Sequence, residues 1–154
     1  MNTKSRQSGA TVVEMAIVMP VFLLMLLALV EFGTMFFATL TMQYAVREGA
    51  RYAVTGQKNL DPNTADQQRY AAIIQKIRDS STGMYAKVTP KISVNGKAYE
   101  EADYGSGMFG SAGDIVVLRL DCSWTVATPL ISAFFTDGKY RFAVAATMRN
   151  EAFQ

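Results

Sequence analysis

The chain opens on a long apolar run over residues 12–46 that carries only two charged side chains, Glu14 and Glu31. As an α-helix this run would extend for about 52 Å, whereas the hydrocarbon core of a bilayer is about 30 Å thick and needs about 20 residues. The run therefore predicts a membrane-spanning part at about residues 12–31. The two carboxylates lie about 25 Å apart along the axis, which places one near each face of the bilayer.

Beyond Glu31 the apolar positions become one-sided, which indicates an amphipathic stalk at about residues 32–53 of a helix that covers residues 10–53. Such a stripe packs either on the chain's own domain, which we favour, or on neighbouring subunits. Pro20 removes a helix hydrogen bond and predicts a kink. The apolar members of the stripe are Phe32, Met35, Phe36, Leu40 and Tyr44.

A second, shorter helix is predicted at the start of the outer domain, which we place at residues 54–154. Its start is either Thr64, which forms a capping box with Gln67, or Asp61 followed by proline. We expect it to fray by residues 80–83. Its apolar stripe, which we interpret as core packing, is Tyr70, Ile73, Ile74 and Ile77.

Alternating apolar and polar residues then predict strands at residues 87–94, 114–126 and 138–149. Asn95 and Gly96 form a two-residue hairpin signal with residues 97–101 as the return strand. The fold class is therefore α+β: a long N-terminal transmembrane and stalk helix, followed by a small domain with a short helix and an antiparallel sheet.

Two connections stand out between these elements. Residues 105–113 contain four glycines and predict a mobile loop, which lacks the lysine and hydroxyl residue of a phosphate-binding loop. Residues 128–135 are apolar although they connect two strands. They form either a buried short helix, which we favour, or a docking surface for another component or for the membrane.

The composition excludes several kinds of catalytic site. The chain has no histidine and one cysteine, Cys122, so it cannot build a zinc site or a histidine-dependent triad alone. Cys122 faces the apolar side of its strand and is either an inert core thiol, which we favour, or a reactive or intersubunit cysteine. Glu100, Glu101 and Asp103 form either a solvated hairpin end, which we favour, or a cation or acid–base site.

The charge balance also narrows the class of partner. The formal net charge is +2, and without residues 1–9 the chain has 13 basic and 13 acidic side chains, because Lys4 and Arg6 are lost. No basic excess is left to neutralise phosphates, so we expect no nucleic acid partner. We predict no catalytic residues, no cofactor, no metal and no enzymatic activity.

The segment Gly9-Ala10-Thr11-Val12-Val13-Glu14-Met15 follows the basic residues Lys4 and Arg6 and resembles a type III, prepilin-type signal. The resemblance implies a leader at residues 1–9, cleavage between Gly9 and Ala10 by a prepilin peptidase, and a role for Glu14 in subunit assembly. The alternatives are an uncleaved signal anchor and a secretory signal peptide, although the apolar run is long for the latter. The basic flank predicts a cytoplasmic N-terminus.

Further motifs extend the resemblance. Together with residues 9–20, Glu31-Phe32-Gly33 and Arg47-Glu48-Gly49-Ala50-Arg51-Tyr52-Ala53 closely resemble the TadE-like family of pilin-like proteins from tight-adherence, Flp-type pilus systems. The resemblance covers residues 8–53 strongly, and residues 146–151 look like the family's closing strand. One departure is Met15, where many relatives carry an aromatic residue or leucine.

The resemblance implies a minor pilin, or pseudopilin, that acts in pilus biogenesis, adherence or secretion. Its expected partners are the prepilin peptidase, other pilin-like subunits, the major Flp pilin, an inner-membrane assembly platform and membrane lipid. The expected location is the inner membrane, single-pass, with the C-terminal domain outside, where the protein either stays or enters the pilus. The alternative function is a signal-anchored periplasmic ligand-binding or interaction module unrelated to pili.

Overall fold

A single N-terminal helix dominates the fold. The computed structural model describes residues 4–152, with side chains from residue 9 onward. Helix α1 runs from Lys4–Val54 and continues through Pro20, so the long helix predicted from the apolar run is confirmed. Its 51 residues extend for about 76 Å. Residues 1–3 of the predicted leader lie outside the described part of the chain.

The outer domain follows α1 as three short helices and four strands. Asn95 and Gly96 both have positive φ, as a two-residue hairpin turn requires, and the predicted hairpin is confirmed. Short 3-10 turns occupy Glu101–Asp103 and Thr136–Gly138. The elements are α2 at Arg69–Ser80, α3 at Met84–Val88, β1 at Lys91–Val94, β2 at Lys97–Tyr99, β3 at Ile115–Thr125, α4 at Pro129–Ser132 and β4 at Lys139–Arg149.

The four strands form one antiparallel sheet in the order β2-β1-β3-β4. The longest pair, the central strand β3 and the edge strand β4, is joined from Ile115 opposite Arg149 to Thr125 opposite Lys139. Alternate residues of β3 are buried beneath α1 and α3, and the others face solvent. The predicted fold class, a long apolar helix followed by a small α+β domain, is therefore confirmed.

The stalk packs on the chain's own domain, as predicted, but through a different face. Of the predicted stripe only Met35 is buried, whereas Phe32, Phe36, Leu40 and Tyr44 are exposed. The reason is that α1 is apolar on every side, so its own periodicity does not select a packing face. Small side chains allow the sheet and α2 to approach closely. The buried residues on this face are Ala38, Met42, Ala45, Val46, Ala50 and Ala53.

Two predicted boundaries in the outer domain are wrong. The second helix begins at Arg69 and not at Asp61 or Thr64, because Asp61 instead accepts hydrogen bonds from the backbone N–H groups of Asn63 and Gln68 and holds a loop. Its stripe and its end near Ser80 are as predicted. Residues 87–90 are not strand, because α3 covers Met84–Val88 and the sheet resumes only at Lys91.

The glycine-rich connection at residues 105–113 is anchored, contrary to the expectation of a mobile loop. Phe109 is almost completely buried in the core. Asn150 donates from its amide to the carbonyls of Phe109 (2.9 Å) and Ser111 (2.8 Å). The buried guanidinium of Arg69 donates to the carbonyl of Gly110 at 2.7 Å. Nothing in the local sequence indicates these contacts, because both anchoring side chains lie about 40 residues away.

Candidate membrane and assembly site

The N-terminal part of α1 has the length of a bilayer and is exposed along that whole length. Every residue at positions 9–27 is exposed, and Ala28 is the first residue that the domain partly covers. These 19 residues extend for about 28 Å, which is close to the thickness of a hydrocarbon core. By length and composition, the helix segment Gly9–Val54 is a candidate membrane span.

The residues predicted for processing and assembly lie at the start of this segment. Gly9, Ala10 and Glu14 are all exposed on α1. Glu14 lies one helical turn beyond Ala10, about 6 Å along the axis. All three precede Ala28, which is the first residue of α1 that the outer domain partly covers. The structure therefore presents the three residues outward together, away from the folded domain.

Glu31, by contrast, is turned into the protein, with only 5% of its surface exposed. Its carboxylate oxygens accept hydrogen bonds from the backbone N–H of Ala127 and of Thr128, both at 3.1 Å. The hydroxyl of Thr128 donates a third bond at 2.9 Å. Three donors to one carboxylate offset much of the cost of its burial. Glu31 therefore fixes α1 to the end of β3, a role that the sequence did not indicate.

The apolar connection predicted at residues 128–135 lies beside this contact. It contains the short helix α4, and Ile131 packs with Met35 and Val126. Two of its large apolar side chains are nevertheless open to solvent: Leu130 is 64% exposed and Phe134 is 88% exposed. A short helix is therefore present as expected, but Ile131 is its only buried residue.

Another exposed apolar surface lies on α1, on the C-terminal side of residues 9–27. It consists of the stalk side chains that face away from the domain, at four-residue spacing, so they form a stripe on one side of the helix. Three of its four members are aromatic. We call it the stalk stripe, and its members are Phe32, Phe36, Leu40 and Tyr44.

Gly9, Glu14 and the exposed apolar part of α1 all lie in a segment that matches a known protein family. Residues 9–51 match the family model of TadE-like proteins. The match confirms the resemblance predicted from the sequence and covers α1 from Gly9 almost to its end. We call these residues the TadE-like segment. The chain matches no curated protein and no solved structure.

Outside the TadE-like segment, Glu100 and Glu101 of the predicted acidic cluster, but not Asp103, line a shallow cleft of about 540 Å³ between α3 and the β1–β2 hairpin. Glu100 pairs with Lys91 at 3.2 Å, and Glu101 pairs with Arg78 at 3.4 Å. Both pairs are exposed. Among the described side chains, no group of three or more cysteine, aspartate and glutamate residues is arranged to hold a metal ion.

Cys122 lies on the buried face of β3, with its thiol in the core. Burial, together with the neighbouring Asp121 carboxylate, raises the pKa of the Cys122 thiol to about 12. A thiol with so high a pKa is almost entirely protonated at neutral pH, and the thiolate is the reactive form. This geometry fits the interpretation of Cys122 as an inert core residue.

Proposed function

We propose that the protein is a membrane-anchored minor pilin of a tight-adherence, Flp-type pilus system and that it has a structural, non-enzymatic role. The observation that carries the proposal is the TadE-like segment itself. Residues 9–51 match the family model, and within them residues 9–27 form an exposed stretch of helix as long as a bilayer is thick. A protein associated with the Tad pilus machinery is expected to need such an anchor.

Each exposed feature of α1 has a function in such a protein. Gly9 and Ala10 form the cleavage site for a prepilin peptidase, and Glu14 acts in assembly with pilin-like subunits or the major Flp pilin. The stalk stripe supports subunit packing, because its four large side chains are left uncovered outside the span. The basic Lys4 and Arg6 favour a cytoplasmic N-terminus, with the domain outside the inner membrane and in reach of an assembly platform.

The competing function is a signal-anchored module that binds a ligand in the cleft beside Glu101. Two observations favour it: the volume of that cleft and the half-buried tyrosines that line it, Tyr85, Tyr99 and Tyr104. Burial raises the pKa of Tyr104 to about 12, and its hydroxyl, like that of an ordinary tyrosine, is a hydrogen-bond donor at neutral pH. The cleft's main charges are, however, already paired within the protein, which leaves few polar groups for a ligand.

The mature N-terminal sequence tests the proposal. We expect the chain isolated from cells with a prepilin peptidase to begin at Ala10, and the chain from cells lacking the peptidase to retain residues 1–9. Gly9→Leu should leave the precursor uncut because the residue before the scissile bond is no longer small. Gly33→Leu, at the other exposed glycine of α1, is the matched control. Intact peptides spanning Lys4 to Ala10 in peptidase-containing cells would contradict the proposal.

A further inference from the structure

The connection between β3 and β4 has a fixed position relative to the candidate membrane span. Glu31 holds Ala127 and Thr128 through three hydrogen bonds, and Ile131 packs on Met35. The connection therefore lies beside the turn of α1 at which the 9–27 segment ends. Since that segment is about 28 Å long, the connection reaches the level at which a bilayer's hydrocarbon core gives way to headgroups.

Leu130 and Phe134 are the most exposed large apolar side chains of this end of the domain. Each is attached to a backbone that is held in place by its neighbours: the N–H of Phe134 donates to the carbonyl of Ile131 at 3.0 Å, and Ile131 itself is buried. Two fixed apolar side chains exposed to water are unfavourable, because each leaves apolar area hydrated at a cost of about 25 cal/mol per Å².

Aromatic and cationic residues lie beside this tip, at the same end of the sheet. Trp124 and Tyr140 are directly opposite each other in the last cross-strand pairs of β3 and β4, and the Tyr140 ring packs edge-on against Phe135. Lys139 and Arg141 flank Tyr140 and are exposed, and Arg141 pairs with Asp137 at 2.8 Å. Exposed apolar side chains with aromatic residues and cations beside them are the groups that suit the edge of the hydrocarbon core, the interface and the phosphate headgroups of a membrane.

We propose that the β3–β4 connection is a second membrane contact, in which Leu130 and Phe134 insert into the outer edge of the same bilayer that α1 crosses. The occupant of this surface is lipid. The inference rests on the membrane anchoring proposed above and not on a role in a pilus. With α1 as one attachment and the connection as another, the domain is held at a fixed tilt against the membrane surface, and one side of α1, which carries the stalk stripe, is kept clear of the domain.

The test is to place an environment-sensitive fluorophore on single cysteines of the full chain, reconstituted in vesicles of phosphatidylcholine and phosphatidylglycerol. The variants are Phe134→Cys, Met25→Cys within the span, and Ser111→Cys at the opposite end of the sheet. All three positions are exposed, and Cys122 is buried, so labelling is selective. Lipids with a nitroxide on carbon 5 of the acyl chain report shallow insertion, and lipids with the nitroxide on carbon 12 report deep insertion.

We expect the shallow nitroxide to quench the label at position 134 several-fold more strongly than the label at position 111. The deep nitroxide should quench position 25 more strongly than position 134. Quenching at position 25 without quenching at position 134 would overturn the loop contact and leave the anchor intact. Quenching at neither position would overturn both. Disulfide-linked dimers of Phe134→Cys without quenching would overturn the lipid assignment and identify a second copy of the chain as the occupant.

Discussion

The backbone of Gly49 in α1 lies directly against the side chain of Ile77 in α2. A Cβ atom added at Gly49 would overlap Ile77 and lie 3.0 Å from its Cδ1 atom. Ile77 is itself completely buried, so its side chain has no open space into which it can move. The absence of a side chain at Gly49 therefore sets the distance between the two helices.

This contact predicts that Gly49→Ala lowers stability although alanine is the better helix former. Overpacking a core typically costs about 1–3 kcal/mol, which exceeds the gain in helix propensity of about 1 kcal/mol. We expect the thermal midpoint of the full chain in detergent, followed by near-ultraviolet circular dichroism, to fall by about 3 °C or more. Gly33→Ala is the control, because nothing lies within 4 Å of a Cβ there. An equal or higher midpoint for Gly49→Ala would contradict the close packing.

Glu31→Gln should loosen the junction between α1 and the end of β3. The amide oxygen of glutamine can still accept a hydrogen bond from one of the two backbone N–H groups, of Ala127 or of Thr128. The amide N–H₂ group is itself a donor, so it cannot accept a hydrogen bond from the other. Losing charge-assisted hydrogen bonds of this kind costs about 2 kcal/mol. The measurement is the free energy of unfolding, together with hydrogen exchange of residues 124–135, which should become faster.

Glu14→Gln is the matched control for Glu31→Gln, since it makes the same chemical change at an exposed position away from the domain. Its effect on unfolding should stay within about 0.5 kcal/mol. If the two variants unfold with the same free energy, the buried Glu31 carboxylate does not contribute to stability as its contacts indicate.

The thiol of Cys122 should be unreactive in the folded protein. With its pKa raised to about 12, roughly one thiol in 10⁴ is ionised at pH 8, whereas an ordinary cysteine is ionised to an extent of about one in ten or more. We expect no modification by a maleimide reagent within the time in which Ser111→Cys is fully modified, and complete modification after unfolding. Mass spectrometry measures both. Rapid modification of the folded wild-type chain would show that the thiol is accessible.

Glu14 is expected to act in assembly and not in folding or insertion. Cleavage after Gly9 would create an α-amino group on Ala10, normally cationic at neutral pH. A carboxylate in a bilayer is costly unless it meets such a partner, on its own helix or on a neighbouring subunit. The Glu14→Gln chain should therefore be cleaved and membrane-inserted, yet fail to support piliation when it is expressed at the native level. Normal pilus production by this variant would refute the pairing role.

The sequence alone determined the features that depend on local pattern. The apolar run predicted α1, the four-residue stripe predicted the buried face of α2, and the Asn95-Gly96 turn and the alternation of β3 predicted the hairpin and the central strand. These are signals carried by neighbouring residues, because helix and strand periods of 3.6 and 2 repeat within a few positions. The family match at residues 9–51 likewise follows motifs that lie close together along the chain.

Only the tertiary structure decided which side of α1 faces the domain. A helix that is apolar all round has no preferred side of its own, and the small residues that permit close packing, not the largest apolar ones, became the buried face. The same holds for the contacts of Glu31 with Thr128 and of Arg69 with Gly110, each of which joins residues far apart in the chain. Such contacts arise only when the sheet closes against the helix, because the donors and acceptors do not meet until then.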